Sequence, residues 1–300
     1  MGGVQWADPR FAPAVDSVRA ACNVSHRDDD AIIGMMLDRF GWDQQKVVEM
    51  YQQSVARRAQ MGMNAIREDI QTNGLTLEQF PHHHEVGRVI PIFASTSLER
   101  PAVSAGAEKS VVVDGKTVVA GDVIGCYEMR YGQGESTDQT TVTPQQFTKY
   151  MLYVTQWRWL QCEAYIQRHG RLGFWSMIHD LSCPYSFFTL WGRARSIFTS
   201  YMNPVEGTPC RWASARCRMP PNSVAVSAES CAGLFPPMVQ KILIINVPSL
   251  FGPIWSVISP FLPQHHKDRI VLLTTSNSTE AEVSKYMPSE HMPPHLKPQK

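Results

Sequence analysis

Apolar residues recur at helical spacing in the first part of the chain, and this pattern predicts a pair of helices. It begins after an aspartate run at 28–30 that suits a helix start and continues to about residue 70. Gly41-Trp42-Asp43 separates two apolar stripes, which comprise Ile33, Met36, Leu37 and Phe40, and then Val47, Met50, Val55 and Met61. Because so small a helical module cannot bury both stripes alone, we expect it to pack against the remainder of the chain.

Between residues 81 and 143 the helical pattern gives way to short runs that are typical of β-strands. These runs are Val89–Phe93, Val111–Val113, Thr117–Ala120 and Val123–Met129. Asp114-Gly115 separates two of them and predicts a hairpin turn. A proline at 144 then opens a long helix, in which Arg158 shares one side with Phe147, Met151, Val154 and Gln161. His169-Gly170 ends this helix.

Strand and helix patterns alternate in the C-terminal half. Strands are predicted at 171–180, 241–247 and 268–273, and helices at 184–200, 249–262 and 278–287. Such alternation is typical of crossover units on a parallel sheet. We therefore predict an α/β fold with a mostly parallel sheet over residues 81–300, preceded by a small helical module at 28–80 and a disordered N-terminus at 1–27.

Residues 201–233 have no periodicity and contain four prolines and three cysteines. One interpretation is a disordered surface insertion, which a fold tolerates because the cost of loop closure grows slowly with length. An unspliced intron retained in the gene sequence is the other. Neither interpretation assigns a function to this stretch.

Composition excludes several classes of protein. The chain has 300 residues, 43% of them hydrophobic, and a formal charge of +1, which argues against duplex nucleic acid as the main partner. It shows no leader pattern and no run of about 18 apolar residues. Seven cysteines without framework spacing suit a reducing compartment. We expect a soluble, cytoplasmic monomer without a cofactor.

Catalytic and metal-binding motifs are nearly absent. Cys210 to Arg216 satisfies the C-x5-R spacing of cysteine phosphatases but lacks their glycines and preceding strand, so we interpret the match as chance. The run His82-His83-His84 with Glu85 is either a metal site or, as adjacent histidines seldom converge on one ion, a solvated loop. We predict no catalytic residue and no metal site.

The segment 250–262 is apolar on every side and interrupted by Gly and Pro. Its large apolar members are Leu250, Phe251, Ile254, Trp255, Val257, Ile258, Phe261 and Leu262. A helix buried in the core explains the composition. A static core helix would not need Gly252-Pro253 and Pro260, however, and the segment is long enough to cover a cavity but too short to span a bilayer. Both interpretations remain open at this point.

The order of these elements resembles a known family. KILIINVPSLFGPIWSVISPFLP at 241–263, followed by DRIVLL at 268–273 and YMPSEHMPPHL at 286–296, is similar to the lipid-binding domain of CRAL-TRIO or Sec14-like lipid-transfer proteins. LDRFGWDQQKVVEMYQQSVARRAQM at 37–61 resembles that family's N-terminal helical module. The resemblance covers roughly 28–80 and 144–295.

The resemblance implies one lipid held between a sheet and a gating helix, with transient contact to a membrane surface. The gate would comprise Leu250, Phe251, Ile254, Trp255, Ile258, Phe261 and Leu262. Trp175 and Met177 would line the pocket at positions where choline-lipid binders carry small hydroxyl residues. Arg269, with Lys267 nearby, would meet a headgroup phosphate.

One departure from the family weakens the case for an inositol lipid. The stretch matching the family's Tyr-Pro-Glu-Arg reads Phe235-Pro236-Pro237-Met238, so the Glu-Arg pair is missing. We therefore keep two hypotheses: a non-enzymatic protein that binds and transfers a lipid, and a regulatory or scaffold module that keeps the fold with a filled pocket.

Overall fold

The computed structural model describes residues 4–99, 111–113, 116–118, 121–130, 142–182, 233–247, 251–259, 267 and 269–297. Its α-helices are α1 (Phe11–Ala21), α2 (Asp30–Arg39), α3 (Gln44–Gln60), α4 (Met63–Asn73), α5 (His83–Val89), α6 (Pro144–His169), α7 (Phe251–Ile258) and α8 (Glu280–Val283). Its strands are β1 (Ile92–Thr96), β2 (Val111–Val113), β3 (Lys116–Val118), β4 (Asp122–Arg130), β5 (Gly173–Asp180), β6 (Val239–Val247) and β7 (Ile270–Thr274). Short 3-10 turns are at Leu77–Gln79, Ser289–His291 and Pro294–Leu296.

One five-stranded sheet forms the centre of the fold, in the order β1-β4-β5-β6-β7. Only its β1–β4 pair is antiparallel, whereas β4–β5, β5–β6 and β6–β7 are parallel. The α/β class with a mostly parallel sheet is thereby confirmed. The predicted hairpin also forms, as the separate antiparallel pair β2–β3.

Helix α6 forms as the sequence predicts. Thr143 caps its start in a capping box with Gln146, and Pro144 occupies the first turn. At its end Gly170 adopts the left-handed conformation with φ of 63°. Tyr150, Val154, Trp159, Cys162, Tyr165 and Ile166 are fully buried. The helix therefore brings aromatic side chains into the main core.

The predicted break between the first two helices is also present. Gly41 and Trp42 have φ values of 64° and 65°, and the Asp43 side chain accepts a hydrogen bond from Lys46 N to begin α3. Val55, which we placed in the apolar stripe of α3, is instead 41% exposed. The buried positions of α3 are Val47, Tyr51 and Ser54. Val55 is turned about 100° from Ser54 around the helix axis and so lies at the edge of the buried face.

The N-terminus corrects a second expectation, because 1–27 is not wholly disordered. Helix α1 buries Phe11, Ala14, Val15 and Val18. The ring of Trp6 stacks on Phe11 with centroids 4.5 Å apart, and Ala7 N donates to Gly170 O at 2.9 Å. The buried residues of α1 follow the i, i+3, i+4, i+7 spacing of an amphipathic helix, which our sequence interpretation overlooked, and the bond to Gly170 O ties the segment to the end of α6.

The strand expected at Val89–Phe93 begins later, because Val89 belongs to α5 and β1 starts at Ile92. Pro91 sits at the boundary and holds Ile90 in an extended conformation. The helix predicted at 184–200 and all of the 201–233 insertion except Gly233 lie outside the described residues.

Candidate functional site: the sheet floor and helix α7

Two rows of side chains cross the sheet on the face that carries α6. Strand register aligns Ala94, Tyr127, Met177, Ile242 and Ile270 in one row, and Ile92, Met129, His179, Ile244 and Leu272 in the other. Except for His179, these residues belong to the main hydrophobic cluster or pack against it. We call these two rows the sheet floor.

Helix α7 contributes aromatic side chains to the same cluster. Phe251 is buried, Trp255 is half-buried, and their rings lie 6.5 Å apart. The backbones of Ile254 and Ile258 belong to α7, whereas Leu250, Phe261 and Leu262 lie outside the described residues. Part of the predicted gate is thus placed beside the core cluster that contains the sheet floor. Its role as a gate stays a prediction.

Trp175 and Met177, the predicted pocket residues on β5, are both buried. The Trp175 ring packs against Trp157 of α6 with centroids 5.4 Å apart, and its Nε1 donates to Arg158 O at 3.2 Å. Met177 lies within the sheet floor. Trp175 therefore fills space between β5 and α6, whereas Met177 occupies the surface that a ligand above the sheet would meet.

Our sequence interpretation missed a buried charge that packs against the floor side of the sheet. Arg158 is 6% exposed, and its guanidinium lies 5.3 Å from the ring centre of Tyr127 and 5.5 Å from that of Trp175. Burial, with a smaller effect of the Arg158 charge, lowers the pKa of His179 to about 3. His179 is therefore neutral at physiological pH. The available signal was that Arg158 interrupts the apolar stripe of α6.

Lys267 and Arg269, the predicted headgroup contacts, are both half-buried. The carbonyl of Arg269 accepts a 2.8 Å hydrogen bond from Ile242 N, which fixes its backbone beside β6. Arg269 thus precedes β7 next to the first row of the floor. Whether either side chain meets a phosphate stays a prediction.

Comparison with known proteins agrees with this architecture. The family model described as the CRAL/TRIO domain matches residues 219–297. A solved structure, "Crystal structure of Sfh5", matches with a TM-score of 0.51 and 10% identity, over 94% of this chain and 85% of that chain. At this identity the likeness shows a shared fold. A comparison with curated protein sequences gives no match.

The matched segment, residues 219–297, resembles the CRAL/TRIO domain, and the chain as a whole shares the fold of the Sfh5 structure. The resemblance supports lipid binding or transfer in general as the function. No helix within the described ranges has both the length and the apolar character needed to cross a membrane.

Proposed function

We propose that the chain binds a single lipid, or another small hydrophobic ligand, between the sheet floor and helix α7, and carries or presents it without catalysis. The observation that supports this most directly is the pair of floor rows, in which the His179 ring and the Tyr127 hydroxyl are the polar groups. His179 is neutral, so most of the floor offers an acyl chain apolar side chains, and the charged group beside it is the Arg158 guanidinium near Tyr127.

An acyl chain that crosses water between membranes is exposed at a large cost in free energy. Leaving about 14 carbons in water costs on the order of 10 kcal/mol, at roughly 0.8 kcal/mol per CH2 group. A protein that covers the chain with apolar side chains removes most of this barrier. Trp255 would form part of this cover, because its indole is half-buried and retains access to solvent.

A headgroup at the edge of the site would meet Arg269 and Lys267. The missing Glu-Arg pair at 235–238 argues against an inositol phosphate, so a smaller or less polar ligand is as compatible with the chain as a phospholipid. We further propose transient contact with a membrane surface as a cytoplasmic, monomeric protein, in which Trp255 and its neighbours would enter the interface.

Organic extraction of the purified full-length protein, followed by mass spectrometry, tests the proposal. We expect a lipid at about one equivalent, or uptake of one lipid from mixed liposomes if the preparation is empty. A folded protein that carries no lipid and takes none up would refute it.

The structure also favours a second candidate through one observation. Trp175 is fully buried against Trp157 and Arg158, so bulky groups occupy part of the space between β5 and α6. A regulatory or scaffold module with a filled pocket would show this packing. Affinity for a protein partner together with no lipid uptake would establish that alternative.

A further inference from the structure

Three possible metal ligands converge on the sheet face opposite the floor. Glu128 of β4, Asp180 at the end of β5 and His295 in the last 3-10 turn each offer one donor atom, and these atoms all lie within 4.8 Å of one another. The C-terminal residues that cover this face include Val283, Met287 and Met292. The cluster is therefore separate from the proposed lipid site.

Glu128 is the unexplained member of this cluster. Its side chain is 1% exposed, and neither carboxylate oxygen has a hydrogen-bond partner among the described residues. A buried carboxyl group without a donor is costly, and a bound cation would remove that cost.

Asp180 is held so that one of its oxygens faces the cluster. Its Oδ1 accepts hydrogen bonds from Ser182 N and Asn246 Nδ2, both at 2.8 Å. Its Oδ2 lies 3.7 Å from His295 Nε2 and 3.8 Å from Arg130 Nε. Outer hydrogen bonds of this kind orient the carboxylate ligands of metal sites.

His295 completes the donor set from the solvent side. Its Nε2 lies 3.3 Å from Glu128 Oε1, and 29% of its side chain is exposed. Zinc bonds of about 2.0–2.2 Å place donors roughly 3.3–3.5 Å apart at tetrahedral angles.

We propose that Glu128, Asp180 and His295 form a binding site for a divalent transition-metal cation such as Zn²⁺, with water at a remaining position. Our sequence interpretation predicted no metal site, because these residues are far apart in the chain. The cation would tie the C-terminal 3-10 turn to β4 and β5. Arg130, whose side chain is 32% exposed, would turn toward solvent as the cation replaced it beside Asp180.

Titration of the EDTA-treated full-length chain with Co²⁺, followed by visible absorption, tests this site. We expect d–d bands that saturate at one equivalent, with Zn²⁺ displacing Co²⁺. Zn²⁺ at about 100 times its Kd should raise the Tm by about 5 °C. Glu128→Gln should weaken binding by about 100-fold or more and abolish the Tm rise.

Two features separate ligation from a structural role. Glu128→Gln should raise the Tm of the metal-free protein, since it removes a buried carboxyl group, although it weakens metal binding. His295→Ala, at a partly exposed position, should also weaken metal binding. It tests the site if Glu128→Gln fails to fold. His84→Ala, in the exposed part of the histidine run, should bind as the wild type does.

Unchanged binding in Glu128→Gln and His295→Ala would overturn the proposal. So would binding lost in His84→Ala alone, because the ion would then sit on the histidine run. A titration without saturable binding would also exclude the site.

Discussion

The hydroxyl group of Ser54 donates a 2.6 Å hydrogen bond to the carbonyl oxygen of Leu234, 180 positions away in the chain. Ser54 lies on α3, and Leu234 leads into β6. Leu234 also packs with Met63 and Leu152 in a small buried cluster. The helical module is thus joined to the α/β domain by a buried polar contact as well as by the shared core.

Ser54→Ala should lower the free energy of unfolding by about 1–2 kcal/mol, because the substitution removes a buried hydrogen bond and leaves the carbonyl of Leu234 without this donor. Urea unfolding followed by circular dichroism measures the change. Ser284→Ala is the matched control: its hydroxyl bonds to Ala281 O at an exposed position, and we expect less than about 0.5 kcal/mol. Equal effects of the two substitutions would contradict the prediction.

Gly170→Ala should be more destabilising than Gly74→Ala by about 2 kcal/mol or more. Both glycines have positive φ values, of 63° and 59°, so a side chain meets similar backbone strain at each. At Gly170, however, a Cβ would lie 1.9 Å from Gln5 O, whereas the space around Gly74 is open within 4 Å. Thermal unfolding of both variants gives the difference. Similar Tm values would show that Gln5 is not docked against α6.

Stability should fall with acid as Asp29 is protonated. Burial raises the pKa of Asp29, but hydrogen bonds from Arg58 and Tyr51 outweigh burial and bring the pKa below 3.8. A lowered pKa means that folding favours the carboxylate, so this stabilisation is present above about pH 4 and is lost as the pH falls through the folded-state pKa. The urea midpoint measured between pH 6 and pH 2.5 follows this loss.

Asp29→Asn should cost about 2 kcal/mol at pH 7 and flatten this acid dependence. Asp28→Asn provides the control, since that side chain is 63% exposed and should matter little. An acid dependence that Asp29→Asn leaves unchanged would assign the loss to other carboxyl groups.

Trp255→Asp should abolish lipid transfer between liposomes while the folded fraction stays nearly unchanged, because the half-buried indole retains access to solvent. Phe251→Asp should instead unfold much of the protein, since Phe251 is 2% exposed. Val55→Asp, at an exposed position on α3, is the matched control and should retain transfer. A fluorescent-lipid transfer assay, with circular dichroism on each variant, measures both properties. Severe unfolding of Trp255→Asp would place that residue in a permanent core.

Local patterns in the amino-acid sequence predicted most of the helices and strands. Period-two and apolar runs identified β4 to β7, and proline and glycine signals fixed both ends of α6, because these signals act within a few residues of the chain. The apolar spacing predicted a buried Val55 wrongly, because the packing around α3 sets which of its faces is covered. The helical spacing within α1 was present in the sequence but was not recognised. The order of strands and helices also carried the resemblance that the family match supports.

The three-dimensional packing showed which side chains meet. Strand pairing aligned Tyr127, Met177 and Ile242 in one floor row, and the packing of α6 brought the Arg158 guanidinium against the Trp175 ring. The three-dimensional packing also brought His295 within 3.3 Å of Glu128, 167 positions away. The spacing of residues in the sequence does not indicate such pairs, because strand register and the path of the C-terminal segment are set by packing over the whole chain. The class of fold was therefore predictable from local patterns, whereas the chemistry of each sheet face depends on contacts between residues far apart in the chain.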